Sequence, residues 1–478
     1  MSPDWLILFA YLALSVTAGL AAGRGLTTVT DYFSGERKLP VWAVTISIVA
    51  TETSALTFLS IPGLAIAGNF SFLQVALGYI IGRLIISVWL IPRYASGDLF
   101  SVYQWIGARF GGQAQRSLSG VFMVTRLLAD GVRLYATAIP VVLLMHQTGL
   151  IPVAGTGAYV LVLSILGVIT ILYTVFGGIR AVIWTDVIQW VVYLSGGILA
   201  LISVWWLLPA GEAPSHPMVF FNLTSGSGSW LDFTEPYLAL NAILGGILLS
   251  MASHGTDQII VQRVLCTPSV RDARMAMSLS GILVFFQFIL FLSIGYLLGV
   301  FYQDTPLRPD EVFSRFIVTQ LPTGFAGLII AAVIAAAMST ISSSINALAA
   351  STLSDWKLIP ITHDNGLSRS RWVSVGWGVV LTLVSILLVA GGGIFKEKVV
   401  ETGLAIASVT YGPVLGVFLL GLTGKTPRWP VLLGSLVLSL VSMVFLVFFT
   451  PVAWTWFTAS GLVLFTFFCG LLTRFTYE

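Results

Sequence analysis

Long apolar stretches, separated by Gly, Pro or clustered charge, recur along the whole of this 478-residue chain. A helix needs about 20 apolar residues to cross a bilayer. Thirteen stretches of that kind can be placed, near 4–23, 41–66, 70–92, 117–145, 152–175, 181–208, 236–262, 274–302, 322–354, 372–393, 399–422, 429–449 and 452–473. The runs are continuous rather than alternating, which argues against an outer-membrane barrel. Hydrophobic residues make up 57% of the chain and charged residues only 9%, against roughly 25% charged in a soluble domain. A soluble enzyme, a nucleic-acid binder and a disordered protein are excluded on that ground. Only 209–235 and 303–321 are sizeable hydrophilic stretches, so no second, soluble domain is expected.

The basic residues give an orientation, because cytoplasmic loops of membrane proteins are rich in Lys and Arg. Sixteen of the 23 fall in one set of alternate loops, Arg263, Arg271 and Arg274 among them; Arg308, Arg315, Lys396 and Lys398 fall in the other. Arg83, Arg126 and Arg133 lie inside spans. The rich side reads as cytoplasmic, with the N-terminus outside and the C-terminus inside. The opening Met1-Ser2-Pro3-Asp4-Trp5 has no basic leader segment, so the first apolar run reads as a retained helix. Cys266 and Cys469 suggest no disulfide framework.

Two spans are poor helices. The second contains Thr51-Glu52-Thr53-Ser54 and, further on, Pro62-Gly63; the seventh contains Ser253-His254-Gly255-Thr256-Asp257-Gln258. Backbone that leaves a helix at membrane depth must be satisfied by protein, water or an ion. Two interrupted spans at corresponding places point to a transporter built from inverted repeats; kinked packing helices are the plainer reading of either one alone. The ninth span carries Ser339, Thr340, Ser342, Ser343 and Ser344. Small hydroxyl residues often serve close helix packing, but they also suit a hard cation, and Ser339 and Ser343 share a helix face.

Charge within a span costs about 2.5–3.5 kcal/mol on insertion scales and marks a functional candidate. Glu52, Arg83, Arg126, Asp130, Arg133, Asp186 and Asp257 are so placed. Arg126, Asp130 and Arg133 share a face and form an ion ladder with one spare positive charge. That charge is free for Glu52, Asp257 or an anionic substrate, and a purely structural network is the competing reading. Glu52 has four open roles: an oxygen for sodium, a partner of Arg126 or Arg133, a proton carrier, or a contact to a cationic substrate group. Arg83 and Arg180 read as interfacial, snorkelling residues.

Four motifs give a resemblance: Asp31-Tyr32-Phe33 with Gly35 and Pro40, Ser60-Ile61-Pro62-Gly63, the run from Tyr173 to Gln189, and Ala336 to Asn346. In order and at matching helices, they resemble the sodium/solute symporter family, which includes sodium-coupled sugar, proline, sialic-acid and vitamin carriers. The resemblance implies an all-α membrane protein of about 13 transmembrane helices with a five-plus-five inverted-repeat, leucine-transporter-like core. Its repeats would be 41–208 and 236–422, preceded by 1–40, joined by an extracellular loop at 209–235 and followed by two peripheral helices in 423–478.

It implies a sodium ion held by Ala50, Thr53 and Ala336 main-chain oxygens with the Ser339 and Thr340 hydroxyls, and a second at Asp186, Ser342 and Ser343. It implies a substrate region including Glu52, Ser54, Thr57, Phe72, Gln74, Arg126, Asp130, Arg133, His254, Asp257 and Gln258. Where sialic-acid carriers hold a carboxylate with an arginine this chain has Ala129, and where they have a glutamine it has Ala76.

The implied activity is secondary active uptake of a small polar organic solute (a sugar, sugar acid, amino acid or carboxylate) driven by inward sodium flow. Sodium, the solute and the lipid bilayer are the expected partners, with no nucleic acid and no obligate protein partner, in a plasma membrane such as the bacterial inner membrane. The chain is not expected to be an enzyme: His146, His216, His254 and His363 form no ligand pair, and no phosphate-binding loop occurs. A sodium-independent channel or uniporter, or a transporter-like solute sensor, is the alternative.

Overall fold

The computed structural model describes residues 3–97, 99–147, 149–208, 217–226, 228–302, 309–357, 365–390 and 399–477. Arg308, Lys396, Lys398, His216 and His363 lie outside the described residues. Helices are the dominant element among the described residues. The first helices are α1 (Pro3–Ala22), α2 (Val29–Ser34), α3 (Val41–Glu52), α4 (Ala55–Leu64), α5 (Phe72–Trp89) and α6 (Ile91–Ala95). There follow α7 (Val102–Phe110), α8 (Gly112–Gln147), α9 (Thr156–Leu207), α10 (Ala239–Gly255), α11 (Gln258–Val264) and α12 (Val270–Phe301). The last are α13 (Pro309–Thr319), α14 (Phe325–Ser351), α15 (Gly366–Ala390), α16 (Val399–Leu422), α17 (Trp429–Phe449) and α18 (Phe457–Tyr477). Among the described residues, extended pairing is limited to one bridge between Asn69 and Val219, where the 217–226 segment meets the start of α5.

Each expected apolar run lies in helix, but the runs are divided differently. By length and apolarity, nine helices among the described residues can cross a membrane, or ten if the bent pair α3 and α4 forms one span. The runs expected at 152–175 and 181–208 are one helix, α9, broken at Gly178 (φ 55°, ψ −152°). The run at 236–262 is split into α10 and α11. The 17-residue α10 falls short of spanning length.

Both weak helices break where the sequence weakens. Thr53 and Ser54 are extended (φ −79°, ψ 101° and φ −91°, ψ 165°), and α3 and α4 meet at a 70° bend. Ser54 then caps α4, its hydroxyl accepting from the Thr57 N–H at 3.3 Å. On the other broken helix Asp257 is extended and its carboxylate accepts from the Ile259 N–H at 3.0 Å, starting α11. A polar side chain thus satisfies a donor that each break exposes.

At the centre stands α14, in which every residue from Ala331 to Ala350 is buried. It packs against α9, α1, α8, α15 and α3. Its first turn is anchored by Asp4 of α1, whose Oδ1 accepts from the Gly324 and Gly327 N–H groups at 2.7 Å each. A carboxylate there also complements the helix dipole. In the outer helices α1, α15, α17 and α18 only about a third or fewer of the residues are buried, as in lipid-facing helices.

Close approach between helices rests on residues without side chains. A Cβ at Gly78 would lie 2.4 Å from the Ile243 carbonyl oxygen, so α5 and α10 touch backbone to backbone. At Gly178 a Cβ would lie 2.6 Å from the Tyr32 carbonyl oxygen, and the dihedral region is one that only glycine occupies readily. Gly178→Ala is expected to cost about 1–3 kcal/mol, read as a lowered thermal midpoint of the purified protein in detergent. Gly470→Ala, where no atom lies within 4 Å of the new Cβ, should leave the midpoint unchanged; equal effects would discount the Gly178 break.

Candidate functional site

The break between α3 and α4 lies beside the hydroxyl-bearing face of α14. The two elements meet through the Thr51 and Ser343 hydroxyls, 3.4 Å apart. A helix ending at Glu52 leaves the carbonyls of its last turn, Ala50 among them, without intrahelical donors. Ala50, Thr53, Ala336, Ser339 and Thr340 are all buried. Thr340 donates its hydroxyl proton to the Ala336 carbonyl at 3.1 Å, and Ser339 donates to Asp186 Oδ1 at 2.6 Å. Both hydroxyls therefore keep lone pairs unshared by their own protons, the donor type a hard cation takes. Thr53 is steadied from two sides: its hydroxyl donates to the Val49 carbonyl at 2.8 Å and accepts from Gln287 Nε2 at 2.7 Å.

Asp186, on the second half of α9, is fully buried. Its Oδ1 takes the Ser339 proton, and its Oδ2 accepts from the Ser47 hydroxyl and from Arg263 Nη2, the latter at 2.9 Å. Arg263 also donates through Nε to Ser47 at 2.8 Å and through Nη2 to Ser343. Ser342 and Ser343 both donate back to the Ser339 carbonyl, Ser342 at 3.1 Å. Counting Arg263 with the loop arginines is corrected here. It lies on α11 with no exposed surface, because the second break turns the chain inward just before it.

Glu52 does not face Arg126 or Arg133. It pairs with Arg83 of α5, and His254 Nε2 of α10 lies 3.6 Å from the same carboxylate. Arg83 also donates to Ser280 at 2.8 Å. The snorkelling reading of Arg83 is overturned: its side chain has no exposure, while 17% of the Glu52 side chain remains accessible. A guanidinium facing inward from mid-helix needs a carboxylate, and the α3 break supplies one. Arg180 is partly exposed and pairs with Glu36 at 3.3 Å.

The α8 ladder forms as spaced. Asp130 lies 3.2 Å from Arg133 and 3.7 Å from Arg126, and it accepts a hydrogen bond from Ser344 of α14. The spare charge is taken up at the second break, where Arg126 pairs with Asp257 and donates to the Tyr411 hydroxyl at 2.9 Å. Arg126, Asp257, Thr256, Tyr411 and Tyr103 line one small cavity between α8, α16 and that break. Four carboxylates (Glu52, Asp130, Asp186, Asp257) and four guanidiniums (Arg83, Arg126, Arg133, Arg263) are thereby matched.

Other expected substrate residues are divided. Ser54 and Thr57 stay together, their hydroxyls 3.3 Å apart. Phe72 packs edge-on against Phe288 at 4.9 Å, and Gln74 is buried, donating to the Ser71 and Tyr237 carbonyls. Gln258 turns elsewhere: its amide accepts from the Val102 N–H at 2.8 Å and donates to the Phe100 carbonyl at 2.7 Å, bracing the start of α7. Arg263, Tyr411, Gln287 and Ser47 were not singled out by the sequence, since nothing in their own neighbourhoods distinguishes them from packing residues. No cluster of three His, Cys, Asp or Glu suited to a metal occurs among the described residues, so any cation here meets mainly neutral oxygens.

The chain is similar to known sodium-coupled transporters in sequence and in fold. The chain is 29% identical over 441 residues to the sodium/sialic acid symporter SiaT of Proteus mirabilis (strain HI4320), covering 88% of this chain and 85% of that protein. It is 28% identical over 438 residues to the human sodium/iodide cotransporter, covering 87% and 64%. In fold it superimposes on a sodium-coupled sialic acid symporter solved in a substrate-bound, outward-open state, with a TM-score of 0.83 at 23% identity and coverage of 99% and 98%. It also resembles Mhp1, a nucleobase-cation-symport-1 family transporter in a closed conformation (TM-score 0.55, 15% identity, coverage 93% and 94%). The model of the sodium:solute symporter family matches residues 32–426, and this chain, a multi-pass membrane protein built for sodium-coupled secondary transport, belongs to that family.

Proposed function

We propose that the chain brings sodium and one small polar organic solute inward by alternating access between two inverted repeats, 41–208 and 236–422. Segments 1–40 and 423–478 stand outside that core, and 209–235 is an extracellular connection. Thirteen spans, an outside N-terminus and a cytoplasmic C-terminus in a bacterial inner membrane complete the reading. One sodium is held by the Ala50, Thr53 and Ala336 carbonyls with the Ser339 and Thr340 hydroxyls. The observation that carries this is the contact of the α3 break with the hydroxyl face of α14. A second, weaker sodium shares Asp186 with Arg263, beside Ser342 and Ser343; two cations on one carboxylate explain the weakness.

The solute binds over Glu52, Ser54, Thr57, Phe72 and Gln74, with Arg126, Asp130, Arg133, His254 and Asp257 around it; Gln258 supports the second break. Because the buried carboxylates and guanidiniums already balance, an incoming sodium leaves one positive charge. A solute with net negative charge restores neutrality, which favours a sugar acid or simple carboxylate over a neutral sugar or a zwitterionic amino acid. Ala129 and Ala76 argue against the contacts by which sialic-acid carriers hold their substrate. A membrane potential of −100 mV supplies ~2.3 kcal/mol per charge, and a tenfold sodium gradient about 1.4 kcal/mol. One sodium then supports roughly 500-fold accumulation of a neutral solute, and less of an anion. Coupling requires that sodium favour the state that also binds solute.

A thermal-shift screen of sugars, sugar acids, amino acids and carboxylates, in sodium and in potassium, should identify the solute as one that stabilises only with sodium. With that solute, Ser339→Ala and Thr340→Val should each raise the sodium concentration for half-maximal vesicle uptake about tenfold, the effect of losing about 1.4 kcal/mol of binding. Unmoved sodium activation in both would remove the α3–α14 site. Asp186→Asn should lower the sodium Hill coefficient towards one, and a coefficient already near one in the unmodified protein would eliminate the second ion. Glu52→Gln should cost about 3 kcal/mol of stability by stranding Arg83. Adding Arg83→Met should recover most of that stability while sodium activation stays impaired; normal activation in the double variant would exclude Glu52 from ion coupling.

A further inference from the structure

At the Lys/Arg-rich end of the bundle, the end of α5 and the start of α12 enclose a cleft of about 390 Å³. Its apolar wall is Leu84 and Val88 from α5 and Met275 from α12, whose side chains are exposed. Arg271 and Arg274 form its rim; they are three residues apart on α12, so they project from one face. Both are exposed, and neither has an ion-pair partner among the described residues. The adjacent acid, Asp272, is engaged by the Ser269 hydroxyl at 2.7 Å. Two further hydroxyls line the cleft, with Ser278 donating to Ser87 at 3.3 Å. Exposed Trp89 ends α5 beside it, the kind of residue that marks a membrane interface.

An apolar wall running into the lipid and two unpaired guanidiniums at the interface define a ligand of two halves. Guanidiniums bind phosphate through paired N–H groups, and basic clefts between helices take anionic head groups. An apolar wall of Leu84, Val88 and Met275 adds nothing to the binding of a free anion. We propose that this cleft is a site for one anionic phospholipid, with its phosphate between Arg271 and Arg274 and an acyl chain along Leu84, Val88 and Met275. It is separate from the sodium and solute positions and does not depend on the transport reading; the proposed orientation only assigns it to the inner leaflet.

The test is a titration of phosphatidylglycerol into the purified full chain in neutral detergent, read as thermal stabilisation. Phosphatidylcholine and inorganic phosphate are titrated in parallel. Phosphatidylglycerol should stabilise at concentrations where the other two do not. The double variant Arg271→Gln/Arg274→Gln should weaken its half-saturation about 30-fold, from two basic residues at a membrane surface, and Arg271→Lys/Arg274→Lys, which keeps the charge but not the paired donors, should fall between it and the unmodified protein. Arg24→Gln/Lys425→Gln removes the same charge from the same side and should bind like the unmodified protein. Equal stabilisation by phosphatidylcholine, equal stabilisation by inorganic phosphate, or an equal loss in the Arg24/Lys425 variant would each overturn the proposal.

Discussion

Peptide groups that leave a helix inside a bilayer must be satisfied there, and most of this protein's interior follows from how that is done at two places. At the first break, carbonyls at the end of α3 lie against a buried helix whose hydroxyls are already oriented by Asp186 and by its own carbonyls. At the second, Asp257 caps α11 and receives Arg126 from across the bundle. Neither break lies against lipid. The first is enclosed by α8, α9, α12 and α14 and the second packs among α3, α5, α14 and α16, with close approaches where glycines line the contacts.

Charge balance is the second constraint. Breaking a buried ion pair by removing one partner is costly, whereas a complete pair roughly breaks even with apolar packing. Here the pairs join different helices: Glu52 to Arg83 joins α3 to α5, Asp186 to Arg263 joins α9 to α11, and Arg126 to Asp257 joins α8 to the second break. These links fix the relative positions of the elements that surround both breaks. Beside these pairs the interior presents neutral hydroxyl oxygens and a carboxylate, Asp186, already shared between Arg263 and Ser339.

Family membership narrows the energetics more than the chemistry of the cargo. Relatives of similar identity are named for sialic acid and for iodide, solutes with little in common beyond negative charge. What is common is the sodium-coupled frame, and the superposition with a sialic acid symporter extends over almost the whole of both chains. Solute identity is therefore not given by family membership.

Much of this was legible in the residues themselves. Apolar runs of spanning length locate helices because lipid admits no unpaired backbone, and the hydroxyl-rich, Gly- and Pro-containing segments marked both breaks within a residue or two. The α8 ladder followed from helical spacing alone. Partner choice did not follow. Nothing in the α5 sequence says whether Arg83 reaches the interface or the interior, and Arg263 reads as a loop cation until the turn at Asp257 carries it inward. Sequence fixes which groups are charged and on which face of their own helix they lie; which opposite charge they meet depends on how helices far apart in the chain cross. That was decided only by tertiary packing, since a buried charge is tolerated solely where the bundle brings it a partner.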